Sequence, residues 1–223
     1  MKGGPLTAQE AIGITRRQDF PIITGKESML QVKVQGHIGQ SFTDATCAFN
    51  GTLAEILEMD IQKDPYAKAL FIAALNGVMD MLGLTDRTIH CKTEGPEQCA
   101  VEVGNYMEKH YKGKKLVQVG YQPAMLERLA GIFPDSEYRI LDLNAENIGQ
   151  IRYGKLVEHG IDAYEDAVLN WADVVLCTGS TICNGSILNF LNLEKDVLFY
   201  GTTLAGPASI LGLKRLCFAD RYQ

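Results

Sequence analysis

The sequence predicts an α/β protein in which a doubly wound parallel sheet follows a smaller α+β unit. In the second half, short apolar runs alternate with turns and helical patterns, which is typical of a parallel sheet covered on both faces. The first half instead combines one alternating apolar and polar run with a long apolar helical pattern. We therefore expect an antiparallel strand pair packed on helices in the first half.

The first half contains one clear strand and several helices. The run MLQVKV predicts a half-exposed strand, and glycines bound the loop that follows it and leads to Asp44. Asp64 and Pro65 are residue types preferred at a helix N-cap and at the first helical position. The expected elements are a strand at 29–34, a loop at 36–44, a short helix at 51–59, a long buried helix from 65 and a connecting helix at 96–112.

The second half alternates strands and helices in a Rossmann-like succession. Its expected elements are strands at 115–119, 138–143, 173–177 and 197–200, helices at 124–132, from 184 and near 207–213, and partly helical segments at 153–159 and 164–171. We place a domain boundary near residue 105, inside the connecting helix. The expected domains are residues 1–105, of the α+β type, and residues 106–223, of the Rossmann-like type.

Composition excludes several classes of partner. The 223 residues carry a formal charge of -6, which argues against nucleic acid and anionic membranes as partners, because both favour basic patches. No apolar run is long enough to span a bilayer, and the first residues lack a signal-peptide apolar core. We expect a cytoplasmic protein whose six cysteines are reduced thiols. The absence of CxxC and HxxxH pairs argues against a closed structural zinc site.

Ligands of open parallel sheets bind beyond the carboxyl ends of strands, and the first two such ends give mixed signals. Gly120 and Gln122 follow the first strand, but the GxGxxG fingerprint is missing there, which disfavours ordinary NAD binding. Asp142 follows the second strand, 22 residues after Gly120, where an acid often binds a ribose hydroxyl. A solvated strand-end carboxylate is an equally good interpretation of Asp142.

The next two strand ends are rich in hydroxyl groups and glycine. Their candidate ligand-binding residues are Thr178, Gly179, Ser180, Thr181 and Asn184 after one strand, and Gly201, Thr202 and Thr203 after the neighbouring one. Backbone N–H groups and hydroxyls of this kind can hold anionic or carbonyl oxygens. A simple turn with an N-cap is the alternative. No lysine follows, so a Walker loop is excluded, and two adjacent turns of the same chemistry favour one shared pocket.

The first half supplies candidate metal ligands and charged groups. Four metal-ligand types lie within ten residues, namely His90, Cys91, Glu94 and Cys99. Their spacing fits no standard zinc pattern, and packing or hydrogen bonding is the alternative role. Asp44 could face the same cleft or form a local turn. Asn76 interrupts an apolar helix, so it is either a hydrogen-bonded core amide or a pocket wall.

Several sequence blocks, taken together and in order, resemble one known family. They are Gly25-Lys26-Glu27, GQSFTDA at 39–45, AALNGVM at 73–79, LGLTDRTIHC at 82–91, GYQPAMLERLA at 120–130, CTGSTICNG at 177–185 and FYGTTLAG at 199–206. The chain is similar over nearly its whole length to the bacterial and archaeal family named "putative heavy-metal chelation", long a family of unknown function. That family joins an enolase-N-terminal-like domain to a Rossmann-like domain, with a proposed site in the cleft between them.

The resemblance implies that residues 1–105 form the enolase-N-terminal-like domain. It also implies that the loop at 39–45, the Asn76 helix, the His90–Cys91 segment and the turn at 178–181 converge. The chain departs from longer relatives in having about 28 residues before its first expected strand. This leaves room for a homo-oligomer in which a second chain supplies a wall of the site. The fold name carries no enolase activity.

These observations predict a protein that binds a small polar ligand in an interdomain cleft. The ligand would be a divalent or heavy-metal ion, or a metal-chelating or anionic metabolite, with Asp44, His90, Cys91 and Glu94 as metal ligands or charges. Metal binding should weaken as His90 protonates at mildly acidic pH. The rival hypotheses are an enzyme with a nucleotide-like cofactor, in which Asp142 binds a ribose, and a non-catalytic scaffold.

Overall fold

The structure is a computed structural model that describes residues 1–25 and 27–222. Lys26, which belongs to the first of the resembling blocks, lies outside the described residues, as does Gln223. Within the described ranges no helix has the length and apolarity needed to cross a membrane.

The first half contains a four-stranded antiparallel sheet in the order β3-β2-β1-β4. Its strands are β1 (Lys2–Leu6), β2 (Ser28–Val34), β3 (His37–Thr43) and β4 (Phe49–Asn50). The hairpin between β2 and β3 turns through Gln35 and Gly36, both at positive φ, which is typical of a type I′ turn. This register carries β3 directly from the turn to Asp44.

The helices of the first half are α1 (Ala8–Ile12), α2 (Leu53–Leu57), α3 (Pro65–Met81) and α4 (Gly95–Tyr111). Asp64 caps α3 as predicted, because its side chain accepts hydrogen bonds from the backbone N–H groups of Tyr66 and Ala67. Helix α3 approaches β3 very closely at Gly39, where an added Cβ would lie 2.1 Å from the carbonyl oxygen of Ala73. Only glycine allows this approach.

The second half contains a seven-stranded sheet in the order β11-β10-β9-β5-β6-β8-β7. Its strands are β5 (Leu116–Val119), β6 (Tyr138–Asp142), β7 (Ile151–Arg152), β8 (Lys155–His159), β9 (Val174–Thr178), β10 (Asp196–Tyr200) and β11 (Arg215–Leu216). Only the pairing of β7 with β8 is antiparallel. The chain moves outward from β5 to β6 and β8, then returns to β9 on the other side of β5. The switch point of this doubly wound sheet therefore lies between β5 and β9.

Helical segments connect these strands. They are α5 (Pro123–Ala130), α6 (Thr181–Asn184), α7 (Ala205–Leu211), a π-helix at Tyr164–Trp171 and 3-10 helices at Ser186–Phe190 and Ala219–Arg221. One buried apolar cluster contains Ile12 and Met29 from the first half together with Leu126 and Ile140 from the second. The two halves thus share a core, and the predicted α/β class with its mostly parallel sheet is confirmed.

Three local predictions were wrong. Residues 39–43, predicted as a loop, belong to β3, because Gln40 and Ser41 are buried polar residues that hide the apolar alternation of this strand. Residues 155–159, predicted as partly helical, form β8, where Lys155 is buried and Leu156 is exposed, the reverse of the usual pattern. The first strand is β1 rather than the run at 29–34; its two glycines and proline disfavour strands and concealed it.

One smaller difference concerns a helix. The helix expected to start at Asn184 instead ends there, after beginning at Thr181, and a separate 3-10 helix follows it. Gly185, in the left-handed conformation at φ 81°, separates the two helices. The predicted domain boundary near residue 105 lies inside α4.

Candidate functional site

Two connected cavities lie at the switch point between β5 and β9. The larger one, here called the outer cleft, has a volume of about 910 Å³ and is lined mainly by Glu27, Asp44, Asp142, Asn144, Asn147, Thr181, Cys183, Asn184 and Ser186. The smaller one, here called the inner pocket, has a volume of about 110 Å³ and is lined mainly by Ile12, Phe20, His90, Cys91, Cys99, Gln122, Met125, Gly201, Thr202, Thr203, Leu216 and Cys217. Pro21, Glu27, Phe42, Gly120, Tyr121, Thr178 and Ser180 line both.

Gly120 brings the ends of β5 and β9 together. Its φ is 92°, and a Cβ added there would lie 2.6 Å from the Thr178 Cγ2 atom. The Tyr200 hydroxyl donates a hydrogen bond of 2.9 Å to the Gly120 carbonyl oxygen, which ties β10 to the same point. This glycine allows close packing of strand ends, in a place where a dinucleotide fingerprint would instead admit a pyrophosphate.

Some polar groups of the turn after β9 already form hydrogen bonds within the protein. The Thr181 hydroxyl donates to the Thr178 carbonyl oxygen at 2.7 Å, and the Gly179 N–H donates to the Tyr200 carbonyl oxygen at 2.8 Å. A Cβ at Gly179 would lie 2.8 Å from the Leu204 Cβ, so Gly179 serves packing rather than ligand contact. Thr178 and Ser180, whose hydroxyl oxygens lie 3.0 Å apart, face both cavities.

Three carboxyl groups meet at the outer cleft. Burial, together with the negative charges of Asp142 and Asp44, raises the pKa of Glu27 to about 7. Burial also raises the pKa of Asp142, although a 2.7 Å hydrogen bond from Asn147 Nδ2 lowers it in part. No lysine or arginine lines either cavity within the part of the chain that the structure describes. The lining of the outer cleft is therefore acidic, and the nearby Lys68, which lowers the pKa of Cys183, lies outside that lining.

Sequence reasoning assigned no role to Glu27, although it ends the first of the resembling blocks. Glu27 immediately precedes β2, and only the tertiary fold brings it to Asp142 at the end of β6. The block itself was the one signal that pointed to this residue.

His90 stands in the inner pocket as a neutral imidazole. Burial lowers the pKa of His90 to about 4, while its Nδ1 atom lies 2.7 Å from the Cys91 carbonyl oxygen. Since a carbonyl only accepts, Nδ1 carries the proton and Nε2 is left with a lone pair. The Phe42 ring packs edge-on against the imidazole at 5.3 Å. In the metal-free protein the pKa of His90 thus lies below the mildly acidic range in which its protonation was expected.

The inner pocket also holds residues from the turn after β10. Gly201, Thr202 and Thr203 line it, and the Thr203 hydroxyl accepts a 2.9 Å hydrogen bond from the Phe42 N–H. Thr202 is 1% exposed, and its Oγ1 atom has no partner within the described residues. Gln122, which caps α5 through its Oε1 atom, lines the same pocket.

Three candidates lie outside both cavities, namely Gly179, Asn76 and Glu94. Asn76 is fully buried, donates to the carbonyl oxygens of Gln40 and Thr203 at 2.9 and 3.0 Å, and accepts from the Gly206 N–H at 2.7 Å. Of the two roles expected for Asn76, a hydrogen-bonded core amide or a pocket wall, the structure shows the core amide. Glu94 is exposed at the start of α4, with its Oε1 atom 4.0 Å from Arg16 Nε.

The predicted metal ligands do not form one set. Asp44 lines the outer cleft, His90 and Cys91 line the inner pocket, and Glu94 lines neither. Among the described residues, no group of three or more His, Cys, Asp or Glu side chains is arranged to hold a metal ion. Asn184 lines the outer cleft, where its Oδ1 atom also accepts from the Ser186 N–H at 2.9 Å.

The fold and part of the sequence are similar to those of known proteins. Residues 105–211 match the family model DUF364, described as "putative heavy-metal chelation". The fold is similar to the crystal structure of a DUF364 protein of unknown function from Pyrococcus horikoshii, with a TM-score of 0.52, 15% identity, and coverage of 79% of this chain and 68% of that one. No curated protein matches the chain. The match to the family model covers slightly less than half of the chain and agrees with the resemblance found in the sequence.

Proposed function

We propose that the outer cleft binds a small polar ligand that carries positive charge, in the form of a metal ion held by its own organic chelator. The observation that supports this most is the group of Glu27, Asp44 and Asp142 around one cleft that no described basic residue lines. Carboxylates brought together in this way repel one another, and a cation between them relieves the repulsion. An anionic metabolite would add to it.

The size of the cleft favours a chelate over a bare ion. Its volume of about 910 Å³ compares with roughly 30 Å³ for a water molecule in the liquid, so an ion alone would leave most of it filled with solvent. The described side chains also provide no set of three protein ligands. A ligand that brings its own donor atoms to the metal satisfies both conditions.

The remaining lining groups suit the organic part of such a ligand. Thr178 and Ser180 line both cavities, and Asn144 and Asn184 line the outer cleft. Hydroxyls and amides both donate and accept hydrogen bonds, so they recognise neutral oxygen and nitrogen atoms without adding charge.

A nucleotide-like cofactor is the second candidate, because Asp142 ends the strand next to the switch point. The Asp142 oxygens, however, already accept hydrogen bonds from the N–H groups of Leu143 and Asn144 and from Asn147. No described basic residue lines the cleft to hold a phosphate. This candidate therefore has less support than a cationic chelate.

A thermal-shift titration at pH 8 tests the proposal. The probe is the one-to-one complex of Ni²⁺ with diethylenetriamine, which carries two positive charges and leaves coordination positions open. A hundredfold excess over Kd should raise Tm by about 5–10 °C, because ligand binding to the folded state stabilises it by mass action. Glu27→Gln should weaken binding at least tenfold, whereas Glu94→Gln, a change at an exposed carboxylate outside the cleft, should leave it unchanged.

Diethylenetriamine alone, AMP, NAD and S-adenosylmethionine are titrated beside the complex. Stabilisation by AMP or NAD that Glu27→Gln leaves intact would replace the proposal with the nucleotide hypothesis. No response to any compound, together with unaltered stability of the Glu27 variant, would support an empty scaffold. Equal binding of the complex by the Glu27 and Glu94 variants would also overturn the proposal.

A further inference from the structure

The inner pocket is an apolar cavity inside the core that the two halves share. Ile12 and Phe20 from the first half and Met125 and Leu216 from the second half line it, and all four are buried members of one apolar cluster. Protein cores are close-packed, and few of their voids exceed the size of a water molecule. A cavity of about 110 Å³ with such a lining therefore suits an apolar group of a ligand, which burial there would stabilise.

One ring nitrogen of His90 gives this apolar pocket a hydrogen-bond acceptor. The His90 Nδ1 atom donates to the Cys91 carbonyl oxygen at 2.7 Å, so Nε2 keeps its lone pair. Among the described residues, none donates a hydrogen bond to Nε2. An acceptor in apolar surroundings favours a ligand that brings an N–H or O–H group over one that brings none.

Hydrogen bonds hold one wall of the pocket in place. The segment between α1 and β2 brings Phe20 and Ile22 to the pocket. In the same segment, the Asp19 carboxylate accepts hydrogen bonds from the hydroxyls of Tyr121 and Tyr153 at 2.9 and 2.7 Å. Both tyrosines belong to the second half, so these bonds join the two halves beside the pocket. A wall fixed in this way lowers the ordering cost that a ligand must overcome.

We propose that the inner pocket binds a small apolar group with one N–H or O–H donor, and that this group is one end of the ligand whose charged part lies in the outer cleft. The inference rests on the proposed function, because it describes a second part of the same ligand. Phe42, Gly120, Thr178 and Ser180 line both cavities, so one molecule can extend from the outer cleft into the inner pocket. The ligand class is therefore a chelate with a short apolar arm.

The volume of the pocket limits the size of this arm. An apolar cavity of roughly 150 Å³ in another protein binds benzene. In proportion, the 110 Å³ of the inner pocket has room for about four or five non-hydrogen atoms. Pyrrole meets both requirements, because its N–H group can donate to His90 Nε2 and the rest of its ring is apolar.

Methyl NMR with pyrrole and thiophene tests the pocket without any metal. The protein is isotope-labelled at its methionine methyl groups, so that Met125 reports on the inner pocket and Met59, in a separate apolar cluster of the first half, is the internal reference. Pyrrole should shift the Met125 signal saturably and leave the Met59 signal unchanged. Thiophene has a similar shape but no donor, so it should bind at least about fivefold more weakly.

His90→Phe removes the acceptor and keeps a planar ring, so it should abolish the preference for pyrrole over thiophene. His110→Phe is the matched control, because His110 is exposed on α4 and lines neither cavity. This variant should retain the preference. Equal binding of pyrrole and thiophene by the wild-type protein would overturn the proposal, as would the absence of a saturable Met125 shift. Because this comparison uses only the wild-type protein, it decides the matter even if His90→Phe fails to fold.

Two chelates separate this inference from the proposed function. The Ni²⁺ complex of diethylenetriamine with a pyrrolylmethyl group on its central nitrogen should bind at least tenfold more tightly than the unsubstituted complex. Equal affinities of the two complexes would overturn the apolar arm and leave the chelate standing. Binding of pyrrole without binding of either complex would refute the chelate and, with it, the link between the two cavities, while the assignment of the inner pocket to an apolar donor would remain.

Discussion

The outer cleft and the inner pocket meet at the same strand ends and offer opposite chemistry. Carboxyl, hydroxyl and amide oxygens line the outer cleft, where burial and the negative charges of Asp142 and Asp44 raise the pKa of Glu27 to about 7. Apolar side chains, three thiols and a neutral imidazole line the inner pocket. The two cavities at this switch point therefore differ in their donor atoms. The outer cleft offers oxygen atoms, and the inner pocket offers sulfur and nitrogen atoms.

The difference arises from the segments of the first half that cover each cavity. Glu27 and Asp44, at the two ends of the β2–β3 hairpin, bring acids to the outer cleft. The segment with His90 and Cys91 brings nitrogen and sulfur to the inner pocket. The parallel sheet supplies Gly120, Thr178 and Ser180 to both. The parallel sheet of the second half is here called the platform, and the first half that covers it is called the covering lobe. The same platform can thus serve different ligands when the covering lobe changes.

The largest expected effect is a loss of stability caused by moving α3 away from β3. Gly39→Ala places a Cβ 2.1 Å from the Ala73 carbonyl oxygen and 2.3 Å from the Gly77 nitrogen, so α3 must move away from β3. We expect a loss of about 4 kcal/mol in the free energy of unfolding, measured by urea denaturation. Gly4→Ala on β1 is the control, because an added Cβ there meets nothing within 4 Å. Equal stability of the two variants would contradict the close packing of α3 on β3.

The second largest expected effect is a loss of stability caused by weaker contact between the covering lobe and the platform. Asn76→Ala removes the hydrogen bonds to the Gln40 and Thr203 carbonyl oxygens and leaves the Gly206 N–H unpaired in the core. The expected cost is about 2–3 kcal/mol in chemical denaturation, because a buried donor loses its partner. Asn105→Ala, an exposed change on α4, should cost less than about 0.5 kcal/mol. A similar small cost for Asn76→Ala would show that this amide does not join the lobes.

The third effect belongs to the outer cleft alone and depends on pH. The pKa of Glu27 is raised from 4.5 to about 7, so the folded protein holds a proton that the unfolded chain releases, and stability is lost as pH rises from about 4.5 through 7. Glu27→Gln has no such proton. It should therefore stabilise the metal-free protein by about 1–2 kcal/mol at pH 8 and by little at pH 4.5. The measurement is Tm across that pH range in EDTA, with Glu94→Gln, a change at an exposed carboxylate outside both cavities, as the control. Parallel curves for the Glu27 variant and the wild type would refute the acidic interaction.

The smallest effect belongs to the inner pocket. Thr202→Val removes a buried hydroxyl that lacks a described partner, so it should raise the free energy of unfolding by up to about 1 kcal/mol. Thr203→Val is the matched comparison, because it deletes the acceptor of the Phe42 N–H and should cost about 1–2 kcal/mol. A loss of stability at Thr202 equal to that at Thr203 would mean that the Thr202 hydroxyl has a partner.

The sequence predicted the central strands well and the polar strands poorly. Strands β5, β6, β9 and β10 are buried on both faces, so each appears as a short apolar run. Strand β3 instead buries Gln40, whose Nε2 atom donates to Gln31 Oε1, and β8 buries Lys155, which pairs with Asp135 at 2.6 Å. Each of these buried polar residues is stabilised by a specific partner on another segment of the chain. A periodicity of apolar residues contains no information about such partners.

The candidate site was predictable where it depends on topology. Parallel strand ends share one edge, so reasoning from strand ends alone pointed to Gly120, Thr178 and Thr202, which the fold brings to adjoining cavities. The contributions of Glu27 and Cys217 were missed, because their proximity to the other groups is set by tertiary packing. Glu94 was included for its closeness in sequence to His90, but the start of α4 directs it elsewhere.

The contacts between the covering lobe and the platform also set an order of assembly. Phe42, Asn76 and Thr85 all bond to residues between Thr202 and Gly206, more than a hundred positions later in the chain. On the ribosome, the hairpin and α3 emerge long before these anchors are synthesised. The lobe must wait with its docking surface uncovered until residues 202–206 have been synthesised. Docking of the two lobes should therefore follow the folding of the first one, and it should be slow because its contacts are distant in sequence.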